Sequence, residues 1–201
     1  MDDAKPLQVL LRAFGPGVFP HQMSWILDLP GRGLIMAAKT VADRLPVKAD
    51  AQVLEVGPGS GYYSVEAARR VPDGTLTLLD IQPEMLERCA RRLRRAGLHN
   101  FDTHVPDGQR LPFESESFDA LFMVTVFGEV AERHPFLAEC FRVLRPGGVI
   151  SITEHHPDPD LETASVVARD LARHGFVPAK RLGWRWAYTL NATRPGALED
   201  S

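Results

Sequence analysis

At 201 residues, 44% hydrophobic and 24% charged, the chain has the size and balance of one soluble globular domain. A formal net charge of -3 gives no global attraction to nucleic acid or to an anionic membrane, and no apolar run approaches transmembrane length. Cys89 and Cys140 fall far apart, inside helical patterns and without C-x-x-C or Cys/His neighbours, so they read as buried reduced thiols, with no metal centre expected.

The first six residues carry acidic side chains where a secretory signal would carry basic ones, which points to a cytoplasmic protein. Leu7, Val9, Leu10, Leu11 and Phe14 suggest a short helix. An aromatic-rich segment with Phe19, His21, Met23, Trp25, Ile26 and Leu27 follows, closed by Pro30 and Gly31. Leu34, Ala38, Val41 and Leu45 recur at spacings of four and three, the stripe of an amphipathic helix that Pro46 stops. Residues 1–46 are therefore expected to form an N-terminal helical cap.

Residues 52–64 read QVLEVGPGSGYYS: a short apolar run with one carboxylate, Glu55, then Gly57-Pro58-Gly59-Ser60-Gly61, then the helical pattern Tyr63, Val65, Ala67, Ala68, Val71. This is strand, glycine turn and helix, and such a turn offers backbone N–H groups to a ligand. A triphosphate loop would need a lysine where Tyr62, Tyr63 and Ser64 stand. A dinucleotide loop, G-x-G-x-x-G, would need glycine at position 62, which is tyrosine.

Pro72-Asp73-Gly74 marks a turn, and residues 75–79 form a β-rich run ending on Asp80. Asp80 lies about twenty residues beyond the glycine loop at a strand end, which suits a carboxylate accepting two ribose hydroxyls; a helix-capping role before Pro83 is compatible with it. The next helix, residues 83–96, puts Met85, Leu86, Cys89, Ala90 and Leu93 on one stripe. Its arginines, Arg88, Arg91, Arg92, Arg94 and Arg95, read as a solvated face, since no aromatics interleave them as in an RNA-binding surface.

A third strand is expected over residues 100–105, followed by Pro106-Asp107-Gly108 and the segment from Leu111-Pro112-Phe113 to Ser117-Phe118-Asp119. Residues 120–126 are apolar enough for a central strand buried on both faces. A helix from Pro135 ends in the string FRVLRPGG, where Gly147 and Gly148 supply a tight turn into strand 149–153. His155 and His156 beside Asp158 and Asp160 invite a metal, but adjacent strand residues point to opposite faces, and none is expected. A last helix over residues 161–173 precedes two strands, 176–182 and 185–193, around Gly183-Trp184. A flexible tail is expected over residues 195–201.

Glu55-x-Gly57-x-Gly59-x-Gly61 resembles motif I of the class I S-adenosylmethionine-dependent methyltransferases, whose cofactor carries no phosphate. The order D-G-x-x-LPF-x-x-x-SFD and the FRVLRPGG string resemble further signatures of that family's type 11 and quinone-biosynthesis-like branch. The resemblance covers residues 34–193. It implies an α/β doubly wound, mostly parallel seven-stranded sheet, order 3-2-1-4-5-7-6 with the seventh strand antiparallel, in one domain over residues 1–194 with a Rossmann-like core at 47–194.

It also implies S-adenosylmethionine as cofactor, its amino group held by Glu55, its backbone-contacting part admitted by Gly57, Gly59 and Gly61, its ribose by Asp80, and its adenine by Asp107, Gly108 and Ile81. Pro106 replaces a more usual glycine. The implied reaction is in-line methyl transfer to a small-molecule acceptor, leaning hydrophobic or aromatic, with no nucleic-acid or membrane partner; a homodimer is compatible with it. The acceptor site is expected at the carboxyl ends of strands four and five beneath the cap, which brings in His21, Trp25, Thr125 and Phe127, with Glu129 and His155 as candidate general bases. Gly128 stands near where many relatives carry a histidine. A non-catalytic cofactor-binding partner of another methyltransferase and, less favoured by Tyr62, an NAD-dependent oxidoreductase are the alternatives.

Overall fold

The computed structural model describes residues 36–106, 110–156, 161–179 and 181–196. Most of the expected N-terminal cap, with His21 and Trp25, lies outside the described residues, as do Asp107, Gly108 and most of the expected tail. The last helix of the cap region is present as α1 (Ala38–Arg44), with Ala38 and Val41 buried as their spacing requires. Leu45 ends it in extended backbone, the conformation a following proline enforces.

From there strands and helices alternate: β1 (Gln52–Val56), α2 (Ser64–Arg70), β2 (Thr75–Leu79), α3 (Pro83–Arg95), β3 (Phe101–His104) and β4 (Phe118–Val124). A short 3-10 turn (Phe127–Glu129) leads to α4 (Arg133–Val143), β5 (Leu144–His155) and α5 (Ala164–Arg173). The chain closes with β6 (Val177–Pro178), β7 (Leu182–Trp184) and β8 (Ala187–Thr193).

The sheet runs β3-β2-β1-β4-β5-β8-β6, with β7 also paired to β8. β1 to β5 pair in parallel and β8 runs antiparallel to β5. The doubly wound order is thus the expected one, with β8 in the place of the seventh strand. The correction is the count: eight strands among the described residues, because residues 182–184 pair with β8. Gly183 does not form the turn but sits inside β7 at φ +94°, where a side chain would strike the Ala187 carbonyl. The two-residue turn is Arg185-Trp186.

Side-chain alternation along the strands makes two cores. Val53, Leu76, Leu78, Ala120 and Phe122 pack beneath α1, α2 and α3, whereas Leu54, Leu79, Leu121, Met123, Ile150 and Ile152 pack with residues of α4 and α5. Central parallel strands buried on both faces need this near-continuous apolar run. The strand period also places Glu55 on the face of Val53, under α2 and α3. All five parallel strands aim their carboxyl ends at one edge of the sheet, and there the site is built.

Candidate functional site

The chain leaves β1 at Val56 and turns through residues 57–61 with Gly57, Gly59 and Gly61 at φ +67°, +54° and +80°. This left-handed region is costly for any residue with a β-carbon. Space forbids one as well at two of the positions. A β-carbon on Gly57 would come within 2.6 Å of Val126, and one on Gly61 within 2.8 Å of Cys89 Sγ. The loop is pinned by Gly57 N–H to the Leu79 carbonyl (2.8 Å) and by Gly61 N–H to the Pro58 carbonyl (2.9 Å). Arg92 is not merely part of a solvated face: its guanidinium donates to the Ser60 carbonyl and hydroxyl, 3.2 Å each.

Asp80 follows β2 beside this loop. Its Oδ1 accepts from the Gln82 N–H at 2.9 Å, so the N-cap of α3 is Gln82 and not Asp80 itself. Burial raises the Asp80 carboxyl, while backbone N–H groups of Gln82, Gly59 and Ile81 pull it back down. The Gly59 contribution places the carboxylate against the glycine loop. Ile81, next to it, is 58% exposed and Val105 at the end of β3 is 47% exposed, two apolar side chains left uncovered at the same edge.

Glu55 lies below, 2% exposed. Burial pushes its carboxyl up to about 8, against the lowering effect of the Ser64 hydroxyl and with the nearby Asp80 charge adding to the rise. Ser64 also accepts from the Cys89 thiol at 3.3 Å. Oε2 of Glu55 has no hydrogen-bond partner among the described residues. A buried carboxylate oxygen without a partner is expensive, and a cationic or N–H-bearing ligand group relieves it.

The LPF segment is held by α4. Glu139 accepts from the Leu111 N–H (2.9 Å), and Arg142 donates to the carbonyls of Phe113 (2.8 Å) and Leu111 (3.1 Å) while pairing with Glu139 (2.7 Å). Asp119 accepts from the Gln52 N–H (2.8 Å) and pairs with Arg145. The second and third signature strings therefore bind one another. This clamp holds the chain from Leu111 onward.

On the other half of the same edge, Thr125 leaves β4 at φ +52°, a strained conformation for a β-branched residue. Its N–H donates to the Thr153 carbonyl at 2.8 Å, which ties the end of β4 to that of β5. Phe127 is fully buried in the core, with the Arg133 guanidinium 5.0 Å above its ring. Glu129 closes the short turn, half-buried.

His155 ends β5, 4% exposed. Its Nδ1 lies 2.9 Å from the His156 carbonyl and its Nε2 2.8 Å from the Tyr63 hydroxyl. A carbonyl only accepts, so Nδ1 carries the proton and the Tyr63 O–H donates to Nε2. Tyr63 was missed at the sequence level, where it counted as an apolar helix position. Nothing short-range marks it, because its partner lies 92 residues away.

The residues at this edge fit S-adenosylmethionine. The loop offers close approach without a cationic side chain, Asp80 offers ribose hydroxyls an acceptor, Ile81 and Val105 offer a flat ring apolar cover, and Glu55 holds an oxygen in need of a donor.

Comparison with known proteins points the same way. Residues 54–152 match the family model of a methyltransferase domain. The chain is 37% identical over 114 residues to a demethylmenaquinone methyltransferase of Tropheryma whipplei, covering 56% of this chain and 46% of that protein. It is 37% identical over 110 residues to a fatty-acid O-methyltransferase of Mycolicibacterium smegmatis, covering 55% and 39%. The chain thus spans less than half the length of these curated relatives. Among solved structures, a SAM-dependent methyltransferase from Aquifex aeolicus superposes with a TM-score of 0.81 at 23% identity, over 88% of this chain and 100% of the other, a likeness of fold.

Proposed function

We propose that this chain is a member of the type 11 branch of the class I S-adenosylmethionine-dependent methyltransferases and transfers a methyl group from S-adenosylmethionine to a small-molecule acceptor. The observation that carries this reading is the meeting of Asp80 with the Gly59 backbone at the mouth of a loop whose own residues bear no cation. The cofactor supplies an electrophilic methyl on a sulfonium, so the protein's task is to place the acceptor in line and exclude water.

In this reading Asp80 accepts the two ribose hydroxyls, Ile81 covers the adenine, and Asp107 with Gly108 meets the adenine edge. The unpartnered oxygen of Glu55 takes the amino group. The acceptor is hydrophobic or aromatic and lies against Thr125 and Glu129, with Phe127 supporting that wall from inside the core and His21 and Trp25 contributed by the N-terminal segment. A hydroxyl or acidic carbon must lose its proton as it takes the methyl. Glu129 or His155 receives that proton, His155 through the Tyr63 hydroxyl already bonded to its Nε2. The relatives named above carry a quinone precursor and a fatty acid in their names, which supports an apolar acceptor. A cytoplasmic location is part of the proposal, supported by two buried cysteines that are not joined to each other. No described helix is long and apolar enough to cross a membrane.

The test is calorimetric titration with S-adenosylhomocysteine and with NAD, followed by labelled-methyl transfer to a panel of quinols, phenols and fatty acids. Saturable binding of the first ligand, weakened in Asp80→Ala, together with label in one acceptor class, is expected. Binding of NAD instead, or binding of neither ligand by folded protein, overturns the reading. Cofactor binding without label transfer to any class would favour a non-catalytic partner protein.

A further inference from the structure

The seam between α4 and the end of α5 carries a histidine pair that the proposed reaction does not use. His134 is the second residue of α4 and His174 is the C-cap of α5. Farther along the same seam, Phe141 packs on Phe176 with ring centroids 5.1 Å apart and bears on Gly175. The two imidazoles approach with His134 Nδ1 3.3 Å from His174 Nε2, their planes tilted by 36°.

The protonation of this pair follows from its neighbours. His174 Nδ1 lies 2.8 Å from the Asp170 carbonyl, so it carries the proton and donates, leaving the Nε2 lone pair aimed at His134. A second ring nitrogen anchored to a backbone carbonyl is the arrangement that orients a metal-bound histidine. The spacing is also that of two ligands on one ion. Nitrogens bonded at roughly 2.0–2.1 Å to a tetrahedral centre stand about 3.3–3.4 Å apart.

We propose that His134 and His174 form a two-point site for a transition-metal dication of the zinc class, stapling the start of α4 to the end of α5. On binding, the proton on His134 Nδ1 moves to Nε2 of the same ring, so both rings stay neutral and two lone pairs reach the ion. Water completes the coordination, because the pair is exposed. Asp170 pairs with Arg169 and Arg173, and Glu162 with Arg133. An imidazole pair without a carboxylate favours zinc, nickel or copper over magnesium or calcium.

The experiment uses the full chain after chelator treatment, titrated with zinc chloride or magnesium chloride and read by a competing zinc dye and by the thermal midpoint. One saturable zinc equivalent with an upward midpoint shift is expected, and no shift with magnesium. His134→Ala and His174→Ala should each weaken zinc at least about tenfold. His134→Gln can still hydrogen-bond His174 and should keep the metal-free midpoint while losing the zinc shift. His99→Ala, at an exposed histidine elsewhere, should change nothing. S-adenosylhomocysteine binding should be the same in all four variants, since none lies at the glycine loop. Zinc bound equally by wild type and His134→Gln, or no zinc equivalent at all, overturns the proposal.

Discussion

The carboxyl ends of β1 and β2 and those of β4 and β5 share one edge of one sheet, but they are built differently. At the first, the features come from short stretches near one another in sequence: Glu55, the loop at 57–61, Ser64, Asp80 and Gln82. Backbone N–H groups donate there, Gly57 to the Leu79 carbonyl and Gln82 to the Asp80 carboxylate. At the second, side chains meet from far apart: Tyr63 with His155 across 92 residues, and the His156 ring with that of Trp186, centroids 4.9 Å apart. Backbone conformation makes the first half, proposed above for the cofactor; packing of remote elements makes the second, proposed for the acceptor.

The sharpest way to break this contrast is in the loop. Gly61→Val adds a β-branched side chain at φ +80° against Cys89. It should cost about 2–5 kcal/mol, from left-handed strain and overpacking together, measured by urea unfolding. A variant as stable as wild type would show that the loop is not fixed by its backbone. Next in size, Asp80→Ala should lower S-adenosylhomocysteine affinity by about 10²-fold in calorimetry, the loss of hydrogen bonds to a charged acceptor.

On the second half, His155→Ala removes the ring that accepts from the Tyr63 hydroxyl and should destabilise by about 1–3 kcal/mol, with Tyr63→Phe nearer 1 kcal/mol. The double variant should cost less than the sum of the two. Strict additivity in that cycle would dissolve the pair and leave His155 as an isolated core histidine.

For Glu55→Gln the readout is a slope against pH rather than a single stability difference. Burial raises the folded carboxyl from 4.5 to about 8, so the folded protein binds the proton more tightly than the unfolded chain does. Stability should therefore fall as pH rises from about 5 to 8, and Glu55→Gln should flatten that slope. A wild-type slope that survives the substitution would place the titrating group elsewhere.

The helix stripes were legible because they are local: Ala38 and Val41 in α1, and Met85, Leu86, Cys89, Ala90 and Leu93 in α3, are buried as their spacing requires. The glycine loop was legible for the same reason, since three positive-φ positions two residues apart leave glycines in the sequence itself. Resemblance carried the strand order, which no periodicity encodes.

The closing hairpin was misplaced by two residues. A glycine reads locally as a turn, whereas Gly183 is required by the close approach of the Ala187 carbonyl from the neighbouring strand. Glu139 and Arg142 lie off the apolar stripe of their helix, and only the folded chain shows them gripping the Leu111 and Phe113 backbone. The sequence alone determined the conformations that a residue and its near neighbours dictate: strands, stripes and the positive-φ loop. Sheet register and helix docking decided which distant side chains meet, Tyr63 with His155 and His134 with His174, because such contacts depend on where whole elements come to rest and leave no period in the chain.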